Sequence, residues 1–198
     1  MSAEAAERKT WTPEEYLAWE RTSELKHELF QGEVFAMAGA SREHNLIVSN
    51  AIRVLGNALL DRPCEVYPSD LRVKIQATGL YTYPDASVVC GRPEFEDNVA
   101  DTLLNPNVIF EVFSESTEGY DRGKKFRQYR TITSLRDYVL VAQDTIQVEH
   151  FRRKADGSWS LREAGAGGRL ALESIGCDLA VDELYRKVFD REGLPPSA

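Results

Sequence analysis

An α/β domain with a central mixed β-sheet flanked by helices is the fold class the sequence predicts, on three observations. Helical patterning is confined to four segments. Runs rich in Val, Ile, Tyr and Phe, bounded by turn residues, lie between them. The composition is that of an ordinary globular chain, with 198 residues, 42% hydrophobic and 28% charged.

The first helix is expected from Thr12 to Leu25. Thr12 can cap it, Pro13 suits its first turn, and Glu14 and Glu15 face the positive helix end. From His27 to Met37, HELFQGEVFAM reads as a hairpin turning at Gln31-Gly32. Ser41 then opens a second helix, with Leu46, Ile47, Ile52, Leu55 and Leu59 at helical spacing. After Pro63, CEVYPSDLRVKI and YTYPDASVVC read as two paired strands separated by Ala77-Thr78-Gly79. Gly91 to Asn107, polar and carrying Pro93 and Pro106, is expected as a loop, and VIFEVFS as the next strand. Glu118 to Thr131 reads as a helix that sets Asp121, Lys125 and Tyr129 on one face. DYVLVA, TIQVEHF and SWSLREA are short strands, the last two joined by Asp156-Gly157, and a helix around Val181 to Phe189 closes the domain. The expected division is a flexible segment at 1–11, one domain at 12–190 and a disordered tail at 191–198.

Composition narrows the function. Lys plus Arg number 24 against 32 Asp plus Glu, a net charge of −8, so nucleic acid would have to be held by local basic clusters. No apolar run approaches the roughly 18 residues that span a bilayer, so no membrane association is expected. The first ten residues lack the apolar core of a secretory signal, and the expected compartment is the cytoplasm. Cys64, Cys90 and Cys177 are odd in number and widely spaced, which indicates neither a disulfide framework nor a zinc site, and Cys90 reads as a small buried hydrophobe. No HExxH, GxxxxGK[ST], GxGxxG or GxSxG pattern is present.

Two acidic residues stand where burial would be costly. Asp85 begins the run DASVVC, and Glu111 sits inside VIFEVF, sharing a strand face with Ile109 and Phe113. Such carboxylates need a partner, either a hard divalent cation such as Mg²⁺ or an internal Arg or Lys. The helix that follows supplies Arg122, Lys124, Lys125, Arg127 and Arg130 within nine residues. Cations and a phenol beside paired carboxylates suit phosphodiester hydrolysis, which needs neutralisation of the phosphoryl oxygens and an oriented water.

These residues carry a resemblance. Pro84-Asp85 followed by Glu111 resembles the PD-(D/E)XK nuclease superfamily. The phrases HELFQGEVFAMAGASREHNLI, SDLRV, YPDASVVC, VIFEVFSEST, DRGKKFRQY and SLRDYVLV, covering about Thr12 to Phe189, resemble its bacterial Uma-type branch. The resemblance implies a restriction-endonuclease-like core and a Mg²⁺-dependent endonuclease acting on DNA, with Mn²⁺ able to substitute, and as a homodimer because two related sites cut two strands. It implies Asp85 and Glu111 as metal-binding and catalytic residues, with the Val112 carbonyl and Asp70 as further metal ligands. Phe113 stands where the superfamily usually has lysine, and Lys125 of the Asp121, Lys125, Tyr129 pattern takes that catalytic role, with Lys124 as the alternative. Glu28 joins the catalytic set, and Lys124, Tyr129, His44 and Arg122 are expected to face substrate. Two other readings are a catalytically inactive nuclease-like binding or assembly module, and a hydrolase of RNA or a small phosphodiester.

Overall fold

The computed structural model describes residues 9–114 and 118–189. The expected tail and most of the expected flexible segment lie outside these. Trp11, within that segment, packs on Trp19 and donates its amide to the Gly32 carbonyl at 2.9 Å.

Helix α1 (Pro13–Glu20) starts where expected, because Thr12 and Glu15 form a reciprocal capping box. It stops earlier than the sequence suggests. Glu20 is buried and takes the His27 amide and the Tyr83 hydroxyl, both at 2.8 Å, so the chain turns there toward the sheet. Strands β1 (His27–Phe30) and β2 (Glu33–Ala36) form the expected hairpin, with Gln31 and Gly32 both at positive φ. Helix α2 (Arg42–Ala58) is capped by the Ser41 hydroxyl and buries Ile47, Ala51, Val54 and Leu55.

The two long strands expected between residues 64 and 90 are four. β3 (Cys64–Pro68) pairs with β6 (Ala86–Cys90) in one sheet, and β4 (Arg72–Ile75) pairs with β5 (Leu80–Thr82) in another. The hairpin bends at Ser69-Asp70 on one arm and at Tyr83-Pro84-Asp85 on the other. Proline cannot donate to a ladder, and Pro68 and Pro84 fall at these breaks. Asp85 therefore stands at the crossing from one sheet to the other. The region expected as a loop contains β7 (Thr102–Leu103), parallel to β4.

Strand β8 (Val108–Phe113) is buried along its whole length. Residues 115–117 lie outside the described structure. The expected helix beyond them is a π-helical turn, Tyr120–Lys125, running into α3 (Phe126–Tyr129). Then come β9 (Asp137–Ala142), β10 (Gln147–Arg153) and β11 (Trp159–Gly165). The hairpin of β12 (Arg169–Leu172) and β13 (Cys177–Ala180) was not expected, and α4 (Val181–Leu184) is shorter than its prediction.

The six-stranded sheet has the order β11-β10-β9-β8-β6-β3 and is mixed, with β8 and β9 parallel. A five-stranded sheet, β2-β1-β5-β4-β7, lies against one side of it. On the other side α2, β12, β13 and α4 pack on Val108, Phe110 and Val112. Ile109 and Phe113 face Tyr129, Tyr138 and the Val73, Ile75 and Leu80 side chains of the second sheet. Each such apolar side chain contributes roughly 1.5–3 kcal/mol on burial. Among the described residues no helix is long and apolar enough to cross a membrane.

The cysteine expectation is corrected. Register places Cys64 opposite Cys90 on β3 and β6, and the two form a disulfide, while Cys177 is free and buried. Their pairing depends on strand register across 26 residues, which spacing alone does not reveal.

Candidate active site

The residues that build the site are distant in the chain and come from both sheets, from α2 and from the π-helical turn. A cavity of about 900 Å³ opens where the bent hairpin crosses between sheets, and Glu28, His44, Asp85, Glu111, Val112, Asp121 and Lys125 all line it.

Asp85 precedes β6, which pairs antiparallel with β8 through Ala86 and Phe110. Its carboxylate Oδ2 accepts the Val112 amide at 2.7 Å and lies 3.2 Å from His44 Nε2. One of the two carboxylates is thus pinned to the residue after the other. His44 owes its place to the Ser41 cap, which takes the His44 amide at 3.1 Å and starts α2 beneath Asp85. Its Nδ1 is buried without a hydrogen-bond partner among the described residues.

Glu111 is only 4% exposed. Its Oε1 accepts Lys125 Nζ at 2.9 Å and the Tyr129 hydroxyl at 2.7 Å. Lys125 ends the π-helical turn and Tyr129 stands one α-helical turn later, which is why both reach the same oxygen. Burial pushes the Glu111 carboxyl up to about 8; Lys125 pulls it down, and Asp85 and Asp121 push it further up. Burial alone would lower Lys125, but Glu111, Glu28 and Asp121 outweigh it and hold the ammonium above the ordinary lysine value. Burial and then Glu111 keep the Tyr129 phenol neutral, well above its usual range. Lys125 therefore keeps its own proton, as a fixed donor. Glu28, on β1, accepts the Thr82 hydroxyl and lies 3.9 Å from Lys125 Nζ.

Four of the expected site residues lie away from the cavity. Asp70 is 83% exposed on its side chain and pairs with Lys26 at 2.6 Å, because it sits on the outer turn of the bent hairpin. Lys124 is exposed and does not line the cavity, the helix having turned Lys125 inward. Tyr129 is fully buried behind Glu111 and faces that carboxylate rather than the cavity. Arg122 pairs with Glu118 and Glu149 and lies over the Phe113 ring, away from the cavity. His44 does line the cavity, though its visible partner is Asp85.

Tyr120 and Asp121 line the cavity and were not expected as site residues. Asp121 stood in the motif with Lys125 and Tyr129, and that spacing was the available signal. Tyr120 reaches the cavity through the π-helical turn, which no local pattern announces.

A divalent cation can be tested against these donors. The described residues contain no group of three or more His, Cys, Asp or Glu placed to share one. The hard oxygens of Asp85 and Glu111, which both line the cavity, fit Mg²⁺, which takes one or two carboxylates and keeps several waters.

Comparison with known proteins gives a consistent picture. Residues 13–182 match the family Uma2, described as "Putative restriction endonuclease". Two Synechocystis proteins, slr1290 and sll1609, are each 40% identical to the chain. The first matches over 88% of this chain and 91% of its own length, the second over 78% and 88%. The crystal structure of a "putative nuclease belonging to DUF820" from Anabaena variabilis superposes with a TM-score of 0.73 at 18% identity, covering 89% of this chain and 98% of that one. This likeness shows that the fold is shared.

Proposed function

The chain belongs to the Uma2 family, and on that premise we propose that it is a Mg²⁺-dependent endonuclease that hydrolyses DNA phosphodiester bonds. The observation that carries this reading is the convergence of Asp85, Glu111 and Lys125, from three separate parts of the chain, on one cavity. Buried carboxylates and an ammonium placed together at structural cost mark a site built for chemistry on a charged substrate.

Asp85 and Glu111 would hold the cation, with the Val112 carbonyl as the expected further ligand. When bound, it would neutralise charge on the scissile phosphate and acidify the attacking water. Lys125 keeps its proton, so it orients that water and stabilises the phosphoryl oxygens rather than acting as the base. Glu28, beside the same ammonium, would accept the water's proton as the water oxygen bonds to phosphorus, while the departing sugar oxygen leaves with the bonding electron pair and takes its proton from solvent. His44 holds Asp85 in place, and Tyr129 holds Glu111. Asp85→Asn and Glu111→Gln should each abolish Mg²⁺-dependent nicking of plasmid DNA; cleavage surviving both changes would sink the assignment. Cleavage of both strands is best served by a homodimer, which light scattering would report as twice the chain mass. The expected setting is the cytoplasm.

One observation favours the inactive-module reading. Glu111 already has Lys125 and Tyr129 as internal partners. Calorimetric titration with Mg²⁺ and Mn²⁺ separates the two, since an internally paired relic binds neither ion saturably.

A further inference from the structure

The described residues contain a second cationic assembly away from the carboxylates. In the parallel pairing of β8 with β9, Glu111 stands beside Leu140 and Val108 beside Asp137. The start of β9 is therefore roughly 10 Å along the sheet from the level of Glu111. A separate cavity of about 400 Å³ opens there, lined by Arg136, Arg153, Lys154, Ala155 and Gly157.

The two guanidiniums are held by backbone. Arg136 and Arg153 each donate to the Thr133 carbonyl at 3.1 Å, and Arg153 donates again to the Arg130 carbonyl. The Trp159 ring supports Arg153, its centroid 4.8 Å from the guanidinium carbon. Two like charges meet on one oxygen, and no carboxylate pairs with Arg136, Arg153 or Lys154 among the described residues. The nearby Asp156 accepts its hydrogen bonds from the amide and hydroxyl of Ser158, at 2.9 and 2.6 Å, and reaches Lys154 only through space, as a partial countercharge, so the two arginines carry most of the site's uncompensated charge. Partial burial and then the charge of Arg136 lower the proton affinity of Arg153. In a chain of net charge −8, this leaves fixed positive charge that an anion would neutralise.

Helix α3 connects the two places. Lys125, just before it, reaches Glu111, and Arg130, just after it, offers the carbonyl that holds Arg153. Lys124, Arg127 and Arg130 are exposed along this stretch and have no carboxylate partner among the described residues, whereas Arg122 and Lys125 are paired.

We propose that Arg136, Arg153 and Lys154 form a phosphate-binding site outside the carboxylate cavity, and that its ligand is a backbone phosphate of DNA. The choice of ligand rests on the function proposed above; the site itself rests on the arginine geometry. The test uses the full chain and the double variant R136Q/K154Q, whose two positions are exposed, so that Arg153 and its packing stay intact. Binding of a fluorescein-labelled DNA duplex is followed by anisotropy without divalent metal, over a range of salt concentrations. The variant should bind roughly tenfold or more weakly at low salt, with a log–log salt slope shallower by roughly 2. Its hydrolysis of bis(p-nitrophenyl) phosphate, small enough to use the carboxylate cavity alone, should match that of the unaltered chain.

Equal affinity and slope in the two proteins would overturn the proposal, as would failure of the unaltered chain to bind the duplex. A parallel titration with inorganic phosphate, followed through arginine side-chain NMR signals, distinguishes the other source of this ligand. Phosphate binding at Arg136 without any change in DNA affinity would assign the site to free phosphate and overturn the DNA ligand. If Asp85→Asn leaves cleavage intact while R136Q/K154Q weakens DNA binding, the active-site assignment fails and the phosphate site stands.

Discussion

At the scale of single residues, the decisive group is Lys125. The motif left two adjacent lysines open, and one residue of helical rotation separates a cation 7% exposed beside Glu111 from one in solvent. Lys125→Met should remove cleavage while Lys124→Met retains it, with circular dichroism confirming that both variants fold. Equal loss in the two would mean that bulk charge, not placement, is what matters. Removing one partner of a buried pair also costs about 3–5 kcal/mol, so Lys125→Met should melt at a lower temperature. Tyr129 acts through Glu111. Tyr129→Phe should lower cleavage by roughly 10–100-fold through looser metal binding, with the loss recovered in part at higher Mg²⁺. Asp85, Glu111 and Lys125 were legible because acids and a lysine stand out against their apolar or patterned surroundings. That Asp70, Tyr129 and Arg122 lie away from the cavity was not legible, because residue type does not say which way a side chain points once a strand bends or a helix changes pitch.

At the scale of elements, the bent hairpin from β3 to β6 does the most to build the site. Its outer turn carries Asp70 into solvent, and its inner break sets Asp85 against the Val112 amide. The same register brings Cys64 to Cys90. By the loop-closure argument the disulfide stabilises by up to roughly 3.5 kcal/mol. Dithiothreitol should lower the melting temperature of the unaltered chain and leave that of Cys64→Ser unchanged; a shift in both would place the effect elsewhere. The capped helices α1 and α2 and the hairpin at Gln31-Gly32 were legible, since caps and tight turns are local codes. The division of each long strand in two was not, because Val- and Tyr-rich text reads the same in one sheet as in two. The π-helical turn escaped for the same reason, its residues being compatible with an ordinary helix.

At the scale of the molecule, helix α1 is tied to the five-stranded sheet by charge as well as by apolar packing. Asp101 takes Arg21 from the end of α1 and Arg72 from β4, and Arg72 in turn donates to the Tyr83 hydroxyl at 2.9 Å. The Arg21 hydrogen bond, joined by Arg72, holds the Asp101 carboxyl well below the usual carboxylate range. An acid whose folded pKa is depressed binds fewer protons folded than unfolded. Its stabilisation is therefore present above the unfolded value of about 4 and is lost as the pH falls below it. Asp101→Asn should melt lower than the unaltered chain at pH 7, and the gap should close on acidification below about pH 4. A constant gap across that range would remove Asp101 from the acid response.

The sequence by itself determined the mixed α/β class, the capped helices, the family resemblance and the acidic pair Asp85 and Glu111, because each rests on local periodicity, capping chemistry or a residue type out of place in its own segment. Tertiary structure decided that Lys125 rather than Lys124 meets Glu111, that Asp70 faces water, that Cys64 meets Cys90, and that Arg136 and Arg153 share the Thr133 carbonyl. Each of these depends on strand register, a bend or helical pitch, which are set by how distant segments pack and leave no mark in the residues on either side.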